Sequence, residues 1–285
     1  MSYTTAIERL SVIERAEADP AINPICRGFV YTHGGRTARC IVLIHGYTNG
    51  PAQFRVFAER LYAQGHNVYV PRVPGHGLAD RLTTALGELS GAKLIAWLDQ
   101  SLEIAHDLGE RVDVLGLSLG GNLAAYAAQW RPAVHQAVVI APVLGTPRIA
   151  DWAVGLVATL AALGPNQFRW WDDQLQATIP GPPHAYPRYS TRALGKIVRL
   201  GHSILRASGQ RPPVARDIVV VINATDQAVS NAPIEQLVAR WRAHDAAVRT
   251  HYFPAALGLI HDCIDPTQPR QQIDVVYPAL LELVG

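Results

Sequence analysis

A chain of 285 residues is long enough for one large domain or two modest ones, and with 49% hydrophobic and 17% charged residues it can bury a sizeable core. The formal net charge is +2 and no dense Lys/Arg block is present, so the electrostatic footprint of a nucleic-acid binder is missing. Three widely spaced cysteines, Cys26, Cys40 and Cys263, show no paired or metal-ligand spacing and argue against a secreted disulfide framework.

Met1 to Asp19 is polar and acidic and lacks the apolar centre of a signal peptide. Cys40 to Ile44 is a continuous apolar run, as expected for a strand covered on both faces. Pro51 to Gln64 reads as a helix with Phe54, Phe57, Ala58 and Leu61 on one face. Asn67 to Val70 is a second strand, closed by Pro71, and Lys93 to Leu108 a helix with Leu94, Trp97, Leu98, Leu102 and Ala105 in one stripe. Val112 to Leu117 and Val134 to Ala141 are the next strands, with a helix from Gly121 to Trp130 between them. Ile218 to Ile222 and Val248 to Phe253 complete six strands, and Pro233 to His244 and Gln272 to Leu283 read as helices. This alternation predicts an α/β fold with a mostly parallel, doubly wound sheet, whose sites lie at the carboxyl ends of its strands.

From Gly145 to Arg216 the alternation stops. The stretch holds Trp152, Trp170, Trp171, the apolar run Ala153 to Leu163, the breaker Pro180-Gly181-Pro182-Pro183 and the amphipathic Lys196 to Leu205. It reads as an inserted, largely helical cap, the other reading being two crossover helices with a long loop. The expected organisation is an N-terminal segment 1–25, a core of 26–144 and 217–285, and a cap of 145–216. The apolar run falls short of the ~20 residues of a membrane span. A cytoplasmic protein with no stable membrane span is expected. A cap that merely rests on a membrane surface is a weaker alternative, given only Lys196, Arg199 and Arg206 as cations on its helices.

The densest chemical signal is Gly116-Leu117-Ser118-Leu119-Gly120. It lies between the strand-like run Val112-Asp113-Val114-Leu115 and a helix-like run, the context of a nucleophile elbow. The glycines permit a very tight turn that exposes the Ser118 hydroxyl at a helix N-terminus. A serine hydroxyl needs a base to take its proton and a third group to orient that base. His261 follows the last strand by a short loop and is the candidate base; pairing with Asp262 or Asp265 in its own loop is its alternative role. Asp226 is the sole carboxylate in the loop after Ile218–Ile222 and is the candidate orienting acid, whereas Asp217 lies at the wrong end of that strand. Backbone N–H groups of Leu119, after the serine, and Tyr47, in the loop His45 to Gly50, are the candidate oxyanion donors. His76, in Pro74-Gly75-His76-Gly77, precedes the serine and reads as a loop-fixing residue, and Cys263 as a packed one. No cluster suggests a metal and no glycine-rich loop suggests a phosphate, so no cofactor is expected.

The pieces Ile44-His45-Gly46-Tyr47, Pro74-Gly75-His76-Gly77, Gly116 to Gly121, Asp226 and His261, in that order, resemble the α/β-hydrolase superfamily. The His-Gly-aromatic and Gly-His-Gly loops are most similar to its monoacylglycerol lipase and carboxylesterase branch. The resemblance implies an eight-stranded sheet, a lid and cleavage of carboxylic esters. The apolar cap suggests a small ester with an apolar acyl group, an acyl chain or a small aromatic acid, with long-chain glycerides a weaker alternative. The same triad also serves C–C hydrolases, lyases and cofactor-free perhydrolases, and a non-catalytic shell that holds a ligand is a third reading. A haloalkane dehalogenase is disfavoured because position 118 is not an aspartate. Nothing in the chain indicates its oligomeric state.

Overall fold

The computed structural model describes residues 2–172 and 181–285. The chain opens with helix α1, Tyr3–Glu17, whose first turn is capped by the Ser2 hydroxyl accepting the Thr5 N–H. The short strand β1, Phe29–Tyr31, follows, then β2, Thr37–Ile44, whose last five residues are fully buried. Pro51–Phe54 forms one 3-10 turn and leads into α2, Arg55–Ala63. Strand β3, Asn67–Val70, is buried throughout. Helix α3, Gly91–Leu108, starts at Ser90, whose hydroxyl accepts the Lys93 N–H. Strand β4, Gly109–Leu117, runs into α4, Leu119–Trp130, and β5, Val134–Ile140, comes next.

Between β5 and the next sheet strand the chain forms α5, Asp151–Leu163, the strands β6, Phe168–Trp170, and β7, Arg188–Ser190, and then α6, Thr191–Ser208. β6 and β7 pair antiparallel, a two-stranded element that the reading of this stretch as helix and loop did not anticipate. Three residues per strand carry too little alternation to register as a period. Pro180 of the expected breaker lies outside the described residues. The core resumes with β8, Asp217–Asn223, α7, Asn231–Arg242, β9, Val248–Phe253, and α8, Ile273–Val284.

The sheet order is β1-β3-β2-β4-β5-β8-β9. Every pairing is parallel except β1 with β3. All six strands expected from the apolar runs are present. Among the described residues the sheet has seven strands, one fewer than the resemblance implied, because the chain ahead of β1 folds as a helix. α2 and α8 pack together, and α3, α4, α6 and α7 pack in sequence. Both faces of the central strands are thereby covered, which is why their buried residues are mostly apolar and show no alternation, with Asp113 and Gln136 among the polar exceptions. No helix among the described residues is long and apolar enough to cross a membrane.

Candidate active site

Ser118 stands between the end of β4 and the start of α4, with φ 61° and ψ −113°. Few non-glycine residues adopt this backbone, and holding it costs about 1–3 kcal/mol. The neighbours explain how it persists. The Ser118 N–H donates to Ile140 O at 2.9 Å, and Ser118 O accepts the Asn122 N–H at 2.9 Å, so the turn is bonded to β5 on one side and α4 on the other. A Cβ at Gly116 would overlap the backbone of Gly120, and one at Gly120 would overlap the carbonyl of Ile44. The glycines of the pentapeptide are thus required by backbone-to-backbone contact. Ser118 is only 8% exposed.

Two further loops leave the same, carboxyl, edge of the parallel strands. His261, in the loop after β9, donates its Nδ1–H to Asp226 Oδ2 at 2.7 Å. Asp226 lies after β8 and is buried; its Oδ1 accepts the N–H groups of Ala228 at 2.8 Å and Val229 at 3.0 Å. Burial opposes the charge on Asp226, yet the His261 hydrogen bond and charge and the two backbone donors outweigh it and hold the carboxyl below its ordinary range. Burial likewise opposes an imidazolium at His261, but the bond to Asp226, its charge and that of Asp262 hold the ring above its usual value. The bond to Asp226 leaves Nε2 as the free acceptor of the neutral ring.

Asn223 joins the two loops. Its Nδ2 donates to Leu259 O at 3.0 Å and Ile260 O at 3.2 Å, immediately before His261, and Thr225 Oγ1 donates to Leu259 O at 3.0 Å. The role of Asn223 was not read from the sequence. A polar residue closing an otherwise apolar strand was the available signal.

The loop after β2 approaches the serine: a Cβ built on Gly46 would lie 3.6 Å from Ser118 Cβ. His45 is buried, with Nδ1–H donating to Gly46 O at 2.9 Å and Nε2 accepting the Val73 N–H at 3.1 Å. Both ring nitrogens are used by a neutral imidazole, and burial, followed by the charge effect of His76, keeps its pKa well below the usual range. Gly46 O also accepts the Asn49 N–H at 3.2 Å. With the carbonyl of the Gly46–Tyr47 peptide held on one side, its trans N–H faces the other. Among the described residues, neither the Tyr47 N–H nor the Leu119 N–H has an acceptor. Thr48, at φ 64°, holds a conformation rare for a β-branched residue. It is secured by the Trp171 Nε1–H donating to its Oγ1 at 2.9 Å and the Tyr186 N–H donating to its carbonyl at 2.7 Å.

The remaining candidates fall where their chemistry is structural. His76 is fully buried, and burial brings its pKa down to about 4; its Nδ1–H donates to Pro74 O at 3.1 Å. Asp265 bonds His184 at 2.9 Å rather than His261. Cys263 is buried in the core, and its thiol is pushed up to about 12 by burial, then by the charges of Asp262 and Asp226. Among the described residues no group of His, Cys, Asp and Glu could hold a metal ion.

Residues 41–261 match the model of the Alpha/beta hydrolase family. Over 119 residues the chain is 31% identical to a thermostable monoacylglycerol lipase of Bacillus sp. (strain H-257), a match that takes in 40% of this chain. It spans 45% of that relative, so less than half its length. The structure of a Paleococcus ferrophilus monoacylglycerol lipase superposes with a TM-score of 0.66 at 18% identity, over 90% of this chain and 97% of that one. A soluble variant of the Saccharomyces cerevisiae monoglyceride lipase gives 0.67 at 13% identity, over 90% of each chain. At such identities the structures speak to the fold. The family match itself covers most of the chain and takes in the turn at Ser118, the loop at Gly46 and the Asp226–His261 pair. The chain belongs to the alpha/beta hydrolase family.

Proposed function

We propose that this protein is a serine hydrolase that cleaves small carboxylic esters with an apolar acyl group through an acyl-enzyme. The observation that carries the reading is a strained, positive-φ serine and a carboxylate-oriented histidine on the same edge of one parallel sheet. The relative named a monoacylglycerol lipase supports the choice of ester.

In this reading the Ser118 hydroxyl attacks the ester carbonyl while His261 Nε2 takes its proton. Asp226 fixes the ring so that Nε2 is the basic nitrogen, and its charge stabilises the imidazolium that forms. The Tyr47 and Leu119 N–H groups, with no acceptor among the described residues, receive the oxyanion. His261 returns its proton to the leaving alcohol, and water, activated by the same nitrogen, releases the acid. No cofactor enters these steps. The low exposure of Ser118 keeps bulk water from competing hydrogen bonds at the oxyanion.

Residues 145–216 serve as the cap in this proposal. The hydrogen bonds from Trp171 and Tyr186 to Thr48, and the His184–Asp265 pair, support that role because they tie the segment to two of the site loops. Three buried free thiols fit a reducing, cytoplasmic setting.

The test is a panel of p-nitrophenyl esters of graded acyl length, run on the wild type and on Ser118→Ala. Hydrolysis confined to the wild type is expected. Undiminished turnover by Ser118→Ala would overturn the assignment. Absence of ester turnover with intact fluorophosphonate labelling of Ser118 would move the chemistry to C–C cleavage, a lyase reaction or perhydrolysis on the same residues.

A further inference from the structure

One carboxylate beside the site has no part in the steps above. Asp262 adjoins His261 in the chain but does not orient the ring, which Asp226 does. It collects three side-chain amides instead. Gln53 Nε2–H donates to its Oδ1 at 2.8 Å, and Asn49 Nδ2–H and Gln268 Nε2–H donate to its Oδ2 at 2.9 Å each. The Asp265 N–H approaches Oδ1 at 3.4 Å.

Two of these amides belong to the segment that carries the Tyr47 N–H, and their other ends matter. Gln53 Oε1 accepts the Gly46 N–H at 2.9 Å, and Asn49 Oδ1 accepts the Gly50 N–H at 3.0 Å. Gln53 is buried, 1% exposed, and Asn49 is 7% exposed, so water is a poor substitute for these partners. An amide has one accepting and one donating end, whereas a carboxylate only accepts. The Gly46 N–H can only donate. Gln53 therefore fits in one sense alone: oxygen toward Gly46, nitrogen toward residue 262. The chain of polarity runs from Asp262 through Gln53 to the His45–Gly46 peptide, one peptide before the Tyr47 N–H, at the glycine whose added Cβ would lie 3.6 Å from Ser118 Cβ.

We propose that Asp262 is a positioning residue: it sets the sense of the Gln53 and Asn49 amides, and through them the aim of the Tyr47 N–H, in register with the loop that carries His261. The inference rests on the reading of Tyr47 N–H as an oxyanion donor and His261 as the base. It accounts for a carboxylate kept among amides where an apolar residue would be easier to bury. One side chain thereby links base and oxyanion donor, whose relative placement governs the rate of the chemical step.

The experiment is a cycle of Asp262→Asn, Gln53→Glu and the double variant, followed by kcat and KM on an ester hydrolysed by the wild type and by the rate of fluorophosphonate inactivation. In Asp262→Asn the new nitrogen must face an existing amide donor, so Gln53 or Asn49 is forced to turn. A fall in kcat of about 10- to 100-fold with little change in KM is expected, below the loss from deleting an oxyanion donor outright. Gln53→Glu sets two carboxylates face to face and should lose a similar amount. In the double variant the carboxylate introduced at position 53 accepts from both the Gly46 N–H and the amide nitrogen introduced at position 262. The oxygen of that new amide serves Asn49 and Gln268. Recovery to within about fivefold of the wild type is expected, the coupling of side chains in one hydrogen-bond network. That both the loss and the recovery fall on kcat with KM little changed is what a merely structural role would not give.

Unchanged kcat in Asp262→Asn, a loss confined to KM, or a double variant that fails to fold or is as impaired as the product of the two singles would overturn the proposal. If Asp262→Asn does not fold alone, recovery of Gln53→Glu by the second change carries the same answer. Should the wild type hydrolyse no ester, the ester reading fails, and fluorophosphonate inactivation of Ser118 still measures the coupling.

Discussion

The Tyr47 hydroxyl donates to Ser190 O and accepts the Ser190 N–H, each at 3.1 Å, so one phenol satisfies both backbone groups of a residue 143 positions away. Ser190 closes β7 and caps α6, its hydroxyl accepting the Ala193 N–H at 3.1 Å. The tip of the loop beside Ser118 is thereby fastened to the segment between β5 and β8. Tyr47 has two separable parts: a ring that holds that segment, and a backbone N–H that points elsewhere.

Tyr47→Phe tests that separation. It leaves the buried Ser190 N–H and carbonyl without partners and should cost about 1–3 kcal/mol of stability. Turnover of a short-chain ester should stay within a few-fold of the wild type, since the N–H is retained. Chemical denaturation alongside steady-state kinetics checks both; a large fall in kcat at full stability would give the phenol a chemical role.

The strain at Ser118 predicts an unusual order of stabilities. Ser118→Ala and Ser118→Gly both remove the hydroxyl and should both abolish ester turnover. Only glycine relieves φ 61°. Net of glycine's greater loss of backbone freedom, Ser118→Gly should be more stable than Ser118→Ala by about 1 kcal/mol. Paired denaturation curves decide it, and an alanine variant as stable as the glycine one would mean the turn carries no strain.

Asp226→Asn should lower kcat by about 1,000- to 10,000-fold, the scale seen when a serine-protease triad aspartate is replaced by asparagine. The pH profile adds a sign. With His261 as the proposed base, turnover needs its neutral ring, so activity should rise as pH passes through its pKa, which Asp226 holds above the ordinary value. Removing the charge should move the acidic limb of the profile to lower pH. A limb that stays in place would assign the titration to another group.

His76 predicts an acid-side loss of stability. Its folded pKa, about 4, lies below the ordinary 6.5, so below 6.5 the unfolded chain binds a proton that the native state refuses. Stability from this residue is complete above 6.5 and falls as pH drops toward about 4. Over that window the loss is about 3 kcal/mol at most. Urea titrations at about pH 7, 5.5 and 4.5, chosen to span that window, should show the decline, and His76→Asn should make it shallower, leaving the part that buried His45 contributes with the same sign. An equal slope in both proteins would place the acid sensitivity elsewhere.

Much of this architecture was legible residue by residue. The runs at 40–44 and 218–222 are apolar without alternation because both faces of those strands are covered, and 112–117 departs from this only at Asp113, which Arg39 pairs, and at Gly116. Burial leaves that mark locally. Ser118 was legible for a similar reason: its flanking glycines are demanded by contacts between neighbouring backbones. Strand β1, at Phe29–Tyr31, escaped notice because three half-buried residues at an edge carry no such pattern.

The sequence by itself determined the order of the six core strands and the five helices that follow them, the turn at Ser118, and a short set of acids and histidines on later loops. Only the tertiary structure decided among that set, bonding His261 to Asp226, Asp262 to Gln53 and Asn49, and Asp265 to His184. Those pairings join loops up to 213 residues apart. A hydrophobic face repeats every two or three to four residues and can be read along the chain. A hydrogen bond between distant loops has no period, and exists only once the sheet has brought the loops to one edge.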